Sequence, residues 1–373
     1  MVVIMEASAL VYVSLVVVTL GFALFIDNRR YVGAARPSVY ERQQARNLVG
    51  EIGIYCLLAG VSACRIAVGN DYWVYRFNFQ LIAQGRQVSS EFGFNLLVRW
   101  LQDLFGYDRY LPIFGLFSLL TVFFFVKALH DQGKWYAASL YLLLTGGYYF
   151  SSLNTVRYYF VLAVAASGME YVLRREYGKF ILLILAAGLF HKSVLLVLPA
   201  YPAAAWLSRR RVKKWQLAAA GLLGASLVFG QSWYRRLLFF FYPFYENSAF
   251  DDGRISWANV AKCLGVLALS AVCYREGIRD RERNRFYFFL NLGALVVCLC
   301  GSFLPEASRV AYYLMIAQIF LIPELLLGMK KGLWRKLCVG GTALAFLLYF
   351  VIFLYKAYDV SSRLLPYRNW IFQ

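Results

Sequence analysis

Five short stretches set ionisable side chains beside or inside apolar runs: GNDYWVYRF at 69–77, EFGFNLL at 91–97, NTVRYYFVLA at 154–163, FHKSVLLVLP at 190–199 and SRVAYYLM at 308–315. A charge in such surroundings is expensive, so each asks for a reason. Arg157 follows Asn154, a residue type that caps helices, by three positions, which predicts that it sits in the first turn of a helix. Arg309 opens another apolar run in the same way. Helix starts present free N–H groups and partial positive charge, so two arginine-bearing starts predict an anion site of phosphate type. Arg76 and Lys192 would add positive charge to it. Asp71, Glu91 and His191 are the groups able to take a proton or orient a hydroxyl. On a helix beginning at 71, Tyr72, Arg76 and Phe79 share one face, and Asp71, Tyr75 and Asn78 another. Tyr72, Tyr75 and Asn78 then make a reasonable sugar platform. Blander readings compete: arginines that snorkel to headgroups, a histidine that is simply a satisfied polar group, and Asp71 as a helix cap.

The elements that must position these residues are membrane spans. The chain has 373 residues, 61% hydrophobic and only 16% charged, where a soluble domain carries about 25% charged residues. Apolar runs long enough to span a bilayer predict twelve helices, at 3–26, 49–67, 110–127, 135–150, 155–173, 180–190, 193–207, 215–230, 258–274, 286–302, 309–328 and 337–355. The pair 180–190 and 193–207 reads equally well as one broken helix. Alternate loops hold 24 of the 39 Lys and Arg, including RRRVKK and REGIRDRERNR. The opposite loops hold Asp71, Glu91, Asp103, Asp108, Glu246, Asp251, Asp252 and Glu306. By the rule that basic loops stay inside, both termini face outward. The long loops 68–109 and 231–257 are then extracytoplasmic, and their mixture of aromatics and charges predicts amphipathic helices lying in the interface, broken in the second at Pro243. The first apolar run lacks a basic leader, so it reads as a retained helix. We expect one integral membrane domain over 1–373.

The net charge of +19 sits in short cytoplasmic loops, so nucleic-acid binding is not implied. All seven cysteines lie in apolar runs, with no C-x-x-C pair, and there are two histidines; neither a disulfide framework nor a metal site is expected. His130, in a basic loop, carries no assigned role.

The same stretches, in order, resemble a known family. GNDYWVYRFNF is similar to the G-x-D-x-x-x-Y motif of the EpsG family of exopolysaccharide proteins, which are Wzy-like polymerases. EFGFNLL resembles its E-x-G-[FY] segment, NTVRYYFVLAVA its arginine-containing span, and FHKSVLLVLPAY its F-H-x-S-A segment. SRVAYYLMIAQIFLIPELL resembles its arginine-led span and LPYRNWIF its terminal P-Y-[KR] signature. Tyr158 stands where the family often has Gln, and Val194 where it has Ala. The resemblance implies an all-α polytopic GT-C/Wzy-like membrane protein of about twelve transmembrane helices in the bacterial cytoplasmic membrane. It implies a glycosyltransferase for exopolysaccharide or capsule, of the kind found in biofilms, acting on an undecaprenyl-diphosphate-linked oligosaccharide. Arg157, Arg309, Arg76 and Lys192 would then bind the pyrophosphate, and Asp71, Glu91 or His191 would be the base, with Asp71 favoured. No D-x-D metal motif stands in the outer loops, so neither metal nor cofactor is expected. A flippase and a chain-length regulator are the implied partners, besides membrane lipid. A lipid-linked oligosaccharide transporter and an O-antigen ligase-type transferase are the alternative readings.

Overall fold

The computed structural model describes residues 2–27, 37–88, 91–210, 255–301, 307–359 and 362–371, together with 222, 225–226, 229–241 and 246. The greater part of the predicted span 215–230, residues 242–245 and 247–254 of the loop 231–257 (with Pro243, Asp251 and Asp252), and Glu306 lie outside the described residues. Among the described residues the protein is all helix, with one isolated antiparallel bridge between Arg65 and Asn369 and no strand.

The chain folds as two compact units. The first takes residues 1–195 and 331–373. It holds α1 (Val2–Ala23), α2 (Pro37–Ala63), α3 (Asp71–Ala83), α4 (Phe92–Phe105), α5 (Leu111–Gln132), α6 (Tyr136–Thr145), α7 (Tyr148–Ser151), α8 (Val156–Leu173) and α9 (Tyr177–Gly188). The later helix Leu333–Lys356 belongs to it too. The centre is α8, which packs against α5 and α9 and is apolar and buried on nearly every side, as an interior helix must be. Its run of Ala163, Ala165, Ala166, Ser167 and Gly168 lets neighbours come close, with Phe180 of α9 beside Gly168. The second unit, residues 196–330, holds α10 (Val197–Arg209), α11 (Gln231–Phe241), α12 (Trp257–Val272), α13 (Glu282–Cys300), α14 (Ala307–Met315) and α15 (Gln318–Gly328). Here α13 packs on α10, α12 and α14. The Leu333–Lys356 helix is α16.

Among the described residues three helical segments are long and apolar enough to cross a membrane: Leu111–Gln132, Ala307–Gly328 and Leu333–Lys356. Ser8–Ala23, Tyr136–Thr145, Tyr177–Gly188 and Trp257–Val272 are shorter apolar helices. The surface of α16 argues for lipid: Leu333, Leu337, Leu344, Leu348, Val351 and Ile352 are exposed and only Phe350 is buried. Several predicted spans are subdivided. Gly147, at φ +86°, separates α6 from α7 within the predicted span 135–150, and a turn at Ile316–Ala317 separates α14 from α15. The ambiguous pair around 180–207 forms α9, a 3₁₀ turn at Lys192–Leu196, and α10 with Pro202 inside it.

The loop 68–109 is helical as expected. Its helix α4 buries Phe94, Val98 and Leu101 on one side and exposes Phe92, Leu96, Trp100 and Leu104, four positions apart, on another. A second apolar stripe left outward is what a helix lying in an interface presents. Helix α3 likewise exposes Trp73, Val74 and Phe77.

Candidate functional site

The site is built on the backbone at Gly69. That residue has φ +90°, and a Cβ there would meet the Cα of Asn154 at 2.8 Å and the carbonyl oxygen of Leu153 at 2.9 Å. Only glycine fits both the angle and the approach. The chain around it is strapped down by the C-terminal segment: Gly69 N–H donates to Arg363 O (2.8 Å), Asn70 N–H to Ser362 O (3.0 Å) and Ile66 N–H to Arg368 O (2.9 Å). Tyr367 donates its hydroxyl proton to Val61 O at 2.9 Å. The G-x-D stretch and the terminal P-Y-R stretch, three hundred residues apart in sequence, are thus one structure.

Close approach at Gly69 seats the start of α3 on the turn before α8. Asn154 does not cap α8, as its spacing from Arg157 predicts; Thr155 occupies that position, without a side-chain capping bond. Asn154 Oδ1 instead accepts the Asp71 N–H at 2.8 Å, serving the free donors at the start of α3. The reason is distance in sequence: local spacing cannot reveal a helix end docked from eighty residues away. Thr155 Oγ1 donates to Asp71 Oδ2 at 3.0 Å, and the other carboxylate oxygen has no partner among the described residues.

One turn further, the Tyr75 hydroxyl accepts the Arg157 N–H at 3.3 Å. The Arg157 guanidinium lies 4.5 Å from the ring centre of Phe94 and 5.9 Å from that of Tyr75, favourable cation–π distances. Its Nη1 is 3.4 Å from Glu91 Oε2, with side-chain exposures of 22% and 13%. This is a charge held in place yet still reachable. Glu91, the residue before α4, also accepts the Lys192 N–H on Oε1 at 3.4 Å. His191 faces Ser193: the Ser193 N–H donates to Nδ1 at 3.4 Å and its hydroxyl lies 2.9 Å away. An accepting Nδ1 puts the proton of the neutral ring on Nε2. The imidazole meets Tyr158 edge-on at 5.9 Å.

So Asp71, Tyr75, Glu91, Arg157, the Lys192 backbone and His191 form one connected chain of contacts in the first unit. The Lys192 side chain is exposed. Tyr72 and Tyr75 both belong to the buried face of α3, with Phe79 and Ile82. Tyr72 stacks on Phe114 at 4.7 Å, and burial pushes its phenol above its ordinary pKa, opposed by the nearby Arg76. Asn78 is half-buried further along α3. Arg76 stacks over Tyr110 (5.1 Å) and Trp73 (5.5 Å), so it lies apart from Arg157's contacts. Arg309 belongs to the second unit, in the first turn of α14, and is half-buried.

Sequence reasoning passed over Arg65. It is 1% exposed just beyond α2, with Nε donating to Leu153 O (3.1 Å) and Nη1 to Ser118 Oγ (2.8 Å) and the Ser62 carbonyl. The signal was present, an arginine inside the apolar run CRIAV.

These features describe an all-helical membrane protein in which α3, α4 and the C-terminal strap converge on an arginine–carboxylate cluster. A sequence profile of the EpsG family matches residues 52–369, which is most of the chain. The chain belongs to the EpsG family, a family of Wzy-like polysaccharide polymerases. Neither the curated proteins nor the solved structures include a match.

Proposed function

We propose that this protein is an exopolysaccharide polymerase that joins undecaprenyl-diphosphate-linked oligosaccharide repeats at the outer face of the bacterial cytoplasmic membrane. In this reading twelve spans carry the chain, both termini face outward, and a flippase and chain-length regulator act beside it. An acceptor hydroxyl attacks the anomeric carbon of the lipid-linked chain. The new C–O bond forms as the bond from that carbon to the phosphate oxygen breaks. The hydroxyl proton passes to a carboxylate, and undecaprenyl diphosphate leaves with the negative charge.

Arg157 is the group we assign to that charge. A guanidinium offers a planar fork of donors suited to phosphate, and its charge counts most where water is thin. Glu91 spends both oxygens, on Arg157 and on the Lys192 N–H, so it orients the arginine. Asp71 keeps one oxygen for the acceptor proton while Thr155 holds the other. His191, with its proton on Nε2, is suited to donate to a sugar or phosphate oxygen. Lys192 would add positive charge within the first unit, and no divalent cation is needed in this scheme. The observation that carries the reading is the Arg157–Glu91 pair set between Phe94 and Tyr75, linked through Tyr75 and α3 to Asp71.

The test is a gel of nanodisc-embedded protein given its lipid-linked repeat in the presence of EDTA. A ladder of multiples of the repeat is expected. No ladder, together with movement of the oligosaccharide across the bilayer of proteoliposomes, would make the protein a transporter instead.

A further inference from the structure

A cleft of about 380 Å³ opens beside Tyr72 of α3. Its volume falls at the low end of the range for small-molecule sites, about 300–1,000 Å³. Arg65, Tyr72, Asp108, Arg109, Tyr110 and Phe114 line it. Its walls are aromatic: Tyr72 stacks on Phe114, and Arg76 sits 5.1 Å above the ring centre of Tyr110. Its charge is unbalanced, since Arg65 and Arg109 face a single carboxylate, Asp108.

Arg65 is the telling residue. It is buried, its Nε and Nη1 are engaged with Leu153, Ser62 and Ser118, and its Nη2 has no hydrogen-bond partner among the described residues. The guanidinium also lies 5.4 Å from the ring centre of Phe114. Burying a cation is costly unless something answers its charge. Among the described residues no carboxylate pairs with it. An anchored guanidinium with one amino group left over, on the wall of a cleft, is arranged to receive an oxyanion from outside.

We propose that this cleft is a binding subsite for an anionic saccharide: the carboxylate or other acidic substituent of a sugar pairs with Arg65 and Arg109, and the ring lies against Tyr72 and Tyr110. Asp108 accepts hydroxyl protons from the same sugar, a role that a bare anion would leave unused. That the ligand is a saccharide rests on the polymerase reading; that it is anionic rests on the cleft alone. Helix α3 then serves two places, with Tyr75 toward Arg157 and with Tyr72 toward the subsite, where Arg76 rests on the wall residue Tyr110. Acidic glycans would be held during transfer by a group distant from the reacting bond, and neutral ones would not.

The experiment titrates methyl glucuronide and methyl glucoside against the full-length protein in phosphatidylcholine nanodiscs, read by saturation-transfer NMR. The glucuronide should bind about tenfold more tightly or better, the scale of a hydrogen bond to a charged group. Arg109→Glu, on an exposed loop, should erase that preference, and Arg65→Lys, which keeps the charge but loses the fork, should weaken it. Arg157→Ala should retain it. Equal binding of the two glycosides would overturn the proposal, as would a preference that survives Arg109→Glu or vanishes in Arg157→Ala. Loss of glucuronide binding when phosphatidylglycerol replaces part of the phosphatidylcholine would assign the cleft to a lipid headgroup and overturn it as well. A glucuronide preference in a protein that makes no ladder would sink the polymerase reading and leave the subsite standing.

Discussion

Asn291 and Gln318 in the second unit, and Glu91 and Arg157 in the first, are both polar pairs set among apolar helices. They differ in charge, in openness and in what remains unspent. Gln318 Nε2 donates to Asn291 Oδ1 at 2.7 Å, and Asn291 Nδ2 donates to Cys263 O at 3.1 Å. All three residues are essentially buried, at 0–3% exposure. That cluster is neutral and closed, and it pins α12, α13 and α15 together as a hydrogen-bonded core network does. The Arg157 cluster is charged and partly open, and one oxygen of its neighbour Asp71 has no partner among the described residues. A polar group that exists to hold helices together is satisfied from within. One that exists to meet a substrate keeps a donor, an acceptor or a path to solvent in reserve.

Substitutions should separate the two kinds of cluster. The largest effect is expected from Asp71→Asn, which keeps the shape and removes the proton acceptor; chain growth should fall about a hundredfold to ten-thousandfold, the range of general-base catalysis, with the melting temperature unchanged. Gly69→Ala should lower both the melting temperature and the rate. It costs about 1–2 kcal/mol for the left-handed backbone and more for the contact with Leu153 and Asn154, and it displaces Asp71. Asn291→Ala should behave oppositely to Asp71→Asn. It takes from Gln318 Nε2 its amide acceptor, removes the bond to the Cys263 carbonyl and costs about 1–3 kcal/mol of stability, while the rate per folded molecule stays as it was. Thr155→Val should be mildest: losing one bond to a carboxylate costs about 1.5 kcal/mol, roughly tenfold in rate. If Asn291→Ala stopped chain growth in a normally folded protein, the distinction between the clusters would collapse.

Much of the frame was legible in the sequence because apolar length is a local property. The predicted spans 110–127, 155–173, 258–274 and 337–355 overlie α5, α8, α12 and α16, and the loop 68–109 holds α3 and α4. The breaks at Gly147 and Ile316–Ala317 were less visible, since hydropathy runs through them unchanged. At the site, residue types were readable and partners were not. Asn154 looks like a cap for the helix that follows it, and it caps one from eighty residues earlier. Arg76 reads as a neighbour of Arg157, but its contacts are with Trp73 and Tyr110. The strap of residues 362–371 over 64–70 leaves no periodic trace, because it depends on backbone bonds between segments at opposite ends of the chain.

The most direct test of the account is the polymer made by Arg157→Ala in nanodiscs, beside Arg157→Lys and the unaltered protein, with protein amount and folding matched. The account predicts that the alanine variant makes no ladder, a loss of about a hundredfold or more from removing a positioned charge, and that lysine restores little because it lacks the planar fork. A ladder of normal length and rate from Arg157→Ala would contradict it.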